Sequence, residues 1–122
     1  FRNCGQVCIS PTRFYVHEDS YEAFSTRFAE IAKSLKVGRW DEDGVQVGPM
    51  ANARGLKTVQ TMTEDALSRG ADLLAGGKVP AGANRGYFWE PTVLGNVSDD
   101  ALVMNEEPFG PIAPITTFRT YA

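Results

Sequence analysis

The sequence is poor in the side chains that bind metals or staple small folds. It has one histidine, His17, and two cysteines, Cys4 and Cys8. Two thiols are too few for a disulfide-stapled secreted domain. Even with His17 they fall short of the four ligands of a structural zinc site unless carboxylates contribute. A basic run is also missing. Twelve Lys and Arg against fifteen Asp and Glu leave a net charge of −3, the wrong sign and pattern for a nucleic-acid backbone, so no nucleic-acid partner is expected. No apolar stretch approaches the ~18 residues of a membrane span, and no membrane association is expected. The opening residues Phe1-Arg2-Asn3-Cys4-Gly5-Gln6 are neither basic-then-apolar nor helical, so they are not read as a secretory leader. The chain also opens without an initiator Met, inside what reads as a working motif, and is read as a piece of something longer.

What is present suits an ordinary globular unit. The 122 residues are 43% apolar and 22% charged, enough for one domain or part of one. Thr12 to His17, with aromatic and β-branched Phe14, Tyr15 and Val16, reads as a strand after the Ser10-Pro11 turn. A helix follows, with Asp19 and Glu22 at the spacing of a capping box. Its apolar stripe is Tyr21, Phe24, Phe28, Ile31, Ala32 and Leu35, and Gly38 is expected to end it in a left-handed conformation. Residues 38–49 read as a surface connection anchored by Trp40. A second helix is expected from about Asn52 to Arg69 on the stripe Leu56, Val59, Met62 (or Thr63), Ala66 and Leu67, closed by Gly70. Short strands are expected at Ala71–Ala75 and within Tyr87–Val97, and a helical turn at Ala101–Glu106. The last strand is Ile112–Phe118, where Pro114 suggests an edge or an irregular start. The alternation predicts an α/β layer fold.

Two islands could carry chemistry. In Asn3-Cys4-Gly5-Gln6-Val7-Cys8, Gly5 permits a sharp backbone path and Cys8 stands just before a strand. A thiol there can face a substrate while backbone N–H groups point at it, although most lone cysteines are small buried apolar groups. In Asn105-Glu106-Glu107-Pro108-Phe109-Gly110-Pro111, two carboxylates precede a rigid aromatic turn. One carboxylate could accept hydrogen bonds from a sugar diol while Phe109 packs on a ring. The bland alternative is a solvated acidic turn with Phe109 plugged into the core. A Cys4–Cys8 disulfide is open on sequence grounds. Two rival readings stand beside an enzyme with a reactive cysteine: a non-catalytic α/β binding or structural module with Cys8 buried, and a thiol hydrolase needing His17 as its base.

The two islands, in this order and about a hundred residues apart, resemble the aldehyde dehydrogenase superfamily. Gly5-Gln6-Val7-Cys8 matches its Gly-Gln-x-Cys motif, and Glu107-Pro108-Phe109-Gly110-Pro111 its Glu-x-Phe-Gly-Pro signature. Gly48-Pro49-Met50 and Gly86-Tyr87-Phe88-Trp89-Glu90-Pro91-Thr92-Val93 look like further landmarks. The resemblance implies that residues 1–122 form a partial catalytic domain of three layers, a mostly parallel twisted sheet flanked by helices, with the coenzyme domain and the general-base Glu upstream and further chain downstream. It implies Cys8, not Cys4, as nucleophile toward a small-molecule aldehyde, with NAD or NADP as cofactor and the Cys8 backbone N–H as one oxyanion donor. Glu107 would hold the nicotinamide ribose hydroxyls and Phe109 would contact that end of the cofactor. Asn3 would have a structural loop role. The parent would be a cytoplasmic homo-oligomer, a dimer or tetramer, and the isolated segment inactive. Phe1 to Cys8 is similar to the succinate-semialdehyde dehydrogenase branch, in which an Arg six positions before the nucleophile binds the substrate's distal carboxylate. Arg2 holds that position, and a guanidinium fork matches a carboxylate. α-Ketoglutarate semialdehyde is a competing substrate. Ser10 stands where that branch can carry a second thiol, so such a switch is not expected.

Overall fold

The computed structural model describes residues 1–121. A single 3-10 turn at Arg2–Gly5 leads through a tight loop into β1 (Phe14–His17) and α1 (Glu18–Ser34). An irregular connection then reaches α2 (Ala53–Ser68), β2 (Asp72–Ala75), β3 (Thr92–Gly95), α3 (Leu102–Asn105) and β4 (Ile112–Phe118). The four strands form one sheet in the order β1-β4-β3-β2. β4 runs parallel to both β1 and β3, and β2 closes the far edge antiparallel to β3.

Side chains alternate across a strand, and here the two faces have different partners. Val93 and Ile115 face α1, whose Ala29 and Ala32 they meet. Leu94 and Ile112 face the other way, onto Met62 and Ala66 of α2 and Val103 and Met104 of α3. Helices on both faces of a mainly parallel sheet are the three-layer arrangement that the family resemblance implies.

Several local expectations are corrected. Asp19 does not cap α1. His17 is the N-cap, its Nδ1 accepting from the Asp19 N–H at 3.3 Å. Strand and helix abut without a spacer, so the last strand residue is the one available to cap. Gly38 does not end the helix. Leu35 leaves it in extended backbone (φ −73°, ψ 122°), and Gly38 donates its N–H to Val47 O beside a Val37–Val47 bridge. The inward face of α1 is Ser25, Ala29 and Ala32, about one residue round from the predicted stripe. These small side chains let the helix approach the sheet closely. Phe24 and Phe28 join Phe14 in an aromatic cluster at the sheet margin. Ile31 is 48% exposed. Trp40 anchors nothing, being 90% exposed. Its loop is held by the Arg39–Asp41 pair (Nη2 to Oδ2, 2.8 Å), by Lys36 Nζ on Asp43 O and by buried Val47.

Pro114 lies in a central strand, not at an edge. β4 pairs with β3 through Ile112–Pro114 and with β1 from Ile115 onward. The imino acid falls where the strand changes neighbours, so its missing N–H costs no bond in the Phe14–Ile115 ladder.

Candidate active site

The first island folds back on itself. Asn3, Cys4 and Gly5 have φ of 48°, 57° and 72°, three successive left-handed residues of which only glycine is at ease there. The turn is secured twice over, by Gln6 N–H to Asn3 O at 3.0 Å and by Asn3 Nδ2 to Gln6 O at 3.1 Å. This is the structural loop role expected of Asn3. The reversal turns Cys4 inward, 1% exposed among Val47, Met50, Val59 and Trp89, with Sγ 3.8 Å from Met50 Sδ. Val7 to Ser10 then form a tight turn closed by Ser10 N–H to Val7 O at 2.9 Å. Cys8 rides on that turn, exposed and reduced. Neither its thiol nor its backbone N–H has a hydrogen-bond partner among the described residues. The two thiols thus occupy opposite environments, and no disulfide joins them.

The second island is a compact turn with three successive bonds: Phe109 N–H to Glu107 O, Gly110 N–H to Pro108 O and Ile112 N–H to Gly110 O. Pro108 and Pro111 are buried, while Glu107 and Phe109 are exposed, Phe109 by 42%. Phe109 is therefore not a core plug. The Glu107 carboxylate has no partner among the described residues.

The islands touch. A Cβ on Gly5 would stand 2.0 Å from Gly110 O, a distance only a missing side chain allows. Gly5, Ser10, Pro108 and Gly110 line one open cleft of about 260 Å³. The other landmarks converge behind it. Met50 donates its N–H to Tyr87 O at 2.8 Å and packs against Cys4 and the Gly110 backbone. Gln6 Oε1 accepts the Ala51 N–H at 2.9 Å. Met50 and Gln6 are the residues that motif reading quoted without giving a role. Their signal was membership in two landmarks whose meeting point is invisible in a linear chain.

Arg2 stands apart from this cleft. It is exposed, has no ion-pair partner among the described residues, and borders a separate apolar cavity of about 380 Å³ lined by Phe1, Phe28, Ile31, Leu35 and Val47. His17 is committed elsewhere. Since Nδ1 accepts from Asp19, Nε2 carries the hydrogen and donates to Arg119 O at 3.1 Å. It is thus no base for the thiol, which removes the support for a hydrolase. Cys8 is exposed, not buried as the module reading expected. Among the described residues no cluster of three or more His, Cys, Asp or Glu could hold a metal.

Burial pushes the Cys4 thiol up from 9.0 to about 11. An unfolded chain releases this proton near pH 9 while the folded one retains it. Cys4 therefore adds stability below pH 9 that is lost as pH rises from 9 toward 11. In the folded protein, iodoacetamide at neutral pH is expected to modify Cys8 and spare Cys4, read by peptide mapping. Modification of Cys4 at a comparable rate would contradict this packing.

Fold and cleft define a class: a three-layer α/β chain with an exposed, uncommitted thiol on a loop that packs, through Gly5, against an acidic-aromatic turn. The aldehyde dehydrogenase family model matches residues 1–122. The chain belongs to the aldehyde dehydrogenase family. It is 44% identical over 118 residues to succinate-semialdehyde dehydrogenase NADP(+) 2 of Schizosaccharomyces pombe, covering 97% of this chain and 24% of that protein. The 3,6-anhydro-alpha-L-galactose dehydrogenase of a Vibrio species is 40% identical, covering 99% of this chain and 26% of that one. The crystal structure of succinate-semialdehyde dehydrogenase from Burkholderia pseudomallei superposes with a TM-score of 0.93 at 44% identity, over 98% of this chain and 24% of that one. The chain thus spans about a quarter of the length of these relatives.

Proposed function

We propose that the parent protein oxidises an aldehyde to its acid with NAD or NADP, with Cys8 as the nucleophile. The observation that supports this is the seating of Gly5 on Gly110, where Gly5 and Ser10 of the thiol loop share one cleft with Pro108 and Gly110 of the second island, next in sequence to Glu107 and Phe109. The Cys8 thiolate adds to the carbonyl carbon, and the carbonyl π electrons move to oxygen. The uncommitted Cys8 N–H points to a donor for that oxygen, strongest where water is excluded. Glu107 and Phe109 fit the nicotinamide end of a dinucleotide: an exposed carboxylate with two free acceptor oxygens beside an exposed ring. When bound, that group supplies the hydride acceptor. Cys8 then holds the acyl group as a thioester, and water cleaves it, returning the thiol and releasing the acid.

The substrate proposed is a carboxylated semialdehyde such as succinate semialdehyde. Identity does not select it, since the Vibrio relative is nearly as similar as the yeast one. Arg2 supports it, as an unpaired guanidinium six positions before the thiol. In the full-length protein, aldehyde-dependent NAD(P)H formation tests the activity. Arg2→Gln is expected to raise KM for succinate semialdehyde about 10- to 100-fold, the loss of a charge-assisted pair. It should leave kcat, and turnover of an uncharged aldehyde, nearly unchanged. An equal loss on both aldehydes would sink the Arg2 assignment. Faster turnover of α-ketoglutarate semialdehyde would name that compound instead. The 122-residue segment alone is expected to form no NAD(P)H, because the base and the coenzyme domain belong to the rest of the parent. Its exposed Ile9, Phe24 and Ile31 should make it self-associate, whereas the parent buries such surface within a dimer or tetramer.

A further inference from the structure

Gln6 ties the thiol loop, by side-chain hydrogen bonding, to the segment that leads into α2. Its Oε1 accepts the Ala51 N–H at 2.9 Å, while Nε2 lies 3.4 Å from Asn3 O and 3.5 Å from Pro49 O. Ala51 directly precedes Asn52, whose side chain caps α2 by accepting the Gly55 N–H at 2.8 Å. The backbone of Gln6 is also engaged, its N–H on Asn3 O and its carbonyl under Asn3 Nδ2. Immediately before it stand three left-handed residues, two of them not glycine. Such backbone persists only where its surroundings over-determine it. On the other side, two residues on, Cys8 has no hydrogen bond among the described residues that would fix its direction.

We propose that Gln6 is a positioning residue for the Cys8 thiol. Its amide oxygen anchors the loop to the N-terminus of α2 and so sets where the sulfur points. The inference rests on the reading of Cys8 as the nucleophile. A reacting group misplaced by about an ångström can cost on the order of 10²-fold in rate. The Ala51 bond is the short one, so the acceptor oxygen, rather than the two distant donor contacts, carries the effect.

The test uses the full-length protein with three variants. Gln6→Met keeps length and volume but removes the acceptor. Gln6→Glu keeps an acceptor oxygen facing Ala51. Cys8→Ala tests the underlying reading. For Gln6→Met, kcat is expected to fall about 10- to 100-fold with aldehyde KM within about twofold, and alkylation of Cys8 to slow in the folded protein. Gln6→Glu is expected to retain most of kcat. The inference is overturned if folded Gln6→Met turns over at the parent rate. It is overturned equally if Gln6→Met lowers only the thermal midpoint with kcat and Cys8 alkylation unmoved, or if Gln6→Glu loses as much kcat as Gln6→Met. Full activity of Cys8→Ala would instead remove the nucleophile reading itself, an outcome distinct from any Gln6 result.

Discussion

Replacing Cys8 with alanine in the full-length protein is expected to lower kcat by roughly 10⁴-fold or more, the scale seen when a covalent nucleophile is removed. The thiol is exposed on a four-residue turn and makes no hydrogen bond among the described residues that alanine would lose. The thermal midpoint should therefore stay near that of the parent. Cys4→Ala is the opposite case. Its thiol is 1% exposed within the Met50, Val59 and Trp89 cluster, so the change removes buried volume and costs stability. It removes no reacting group, and folded Cys4→Ala should keep its chemistry. Activity and melting, measured on both variants, separate the roles cleanly. A Cys8→Ala protein that still forms NAD(P)H at the parent rate would remove the covalent mechanism.

The second large effect is expected from Gly5→Ala. Two penalties act at once. The backbone has φ +72°, which costs an L side chain roughly 1–2 kcal/mol. The new methyl would also meet the carbonyl of Gly110 at 2.0 Å. Neither partner is a flexible side chain, since both belong to tight turns with their own hydrogen bonds. Relief requires the thiol loop to lift from the Glu107–Phe109 turn. A destabilisation of about 3–5 kcal/mol is expected, and any folded protein should turn over poorly because the cleft has opened. Gly70→Ala is the control. It too has positive φ, +91°, but faces open space, so only the backbone cost of roughly 1–2 kcal/mol applies. Equal melting losses in the two variants would show that the Gly5–Gly110 contact is not the tight one.

The places where sequence patterning went astray share a cause. Helical periodicity identified α1, but not which arc of a broad stripe faces the sheet. That choice went to Ser25, Ala29 and Ala32, because a closely approached sheet accepts small side chains and leaves Ile31 outside. The Asp19-x-x-Glu22 spacing suits a capping box, yet β1 runs straight into α1 and His17 takes the cap. Pro114 reads as an edge residue until β4 is seen to exchange neighbours at that position. Trp40 and Trp89 look alike in a linear chain. One is 90% exposed and the other 4%, because Val47 rather than Trp40 holds the connection down.

Local chemistry determined a good deal without any structure. The second helix, the Gly70 stop, the short strands and the two motif islands all follow from nearest-neighbour preferences, which act over a few residues. What the linear chain could not hold is the meeting of distant parts. Cys4 is sealed and Cys8 bared by a left-handed reversal at Asn3–Gly5 that includes Cys4, and that reversal is braced by Gly5 seated on Gly110 and Gln6 reaching Ala51. Such contacts depend on how three layers close over a hundred residues of chain. Only the tertiary structure decided which sulfur is exposed and which is sealed.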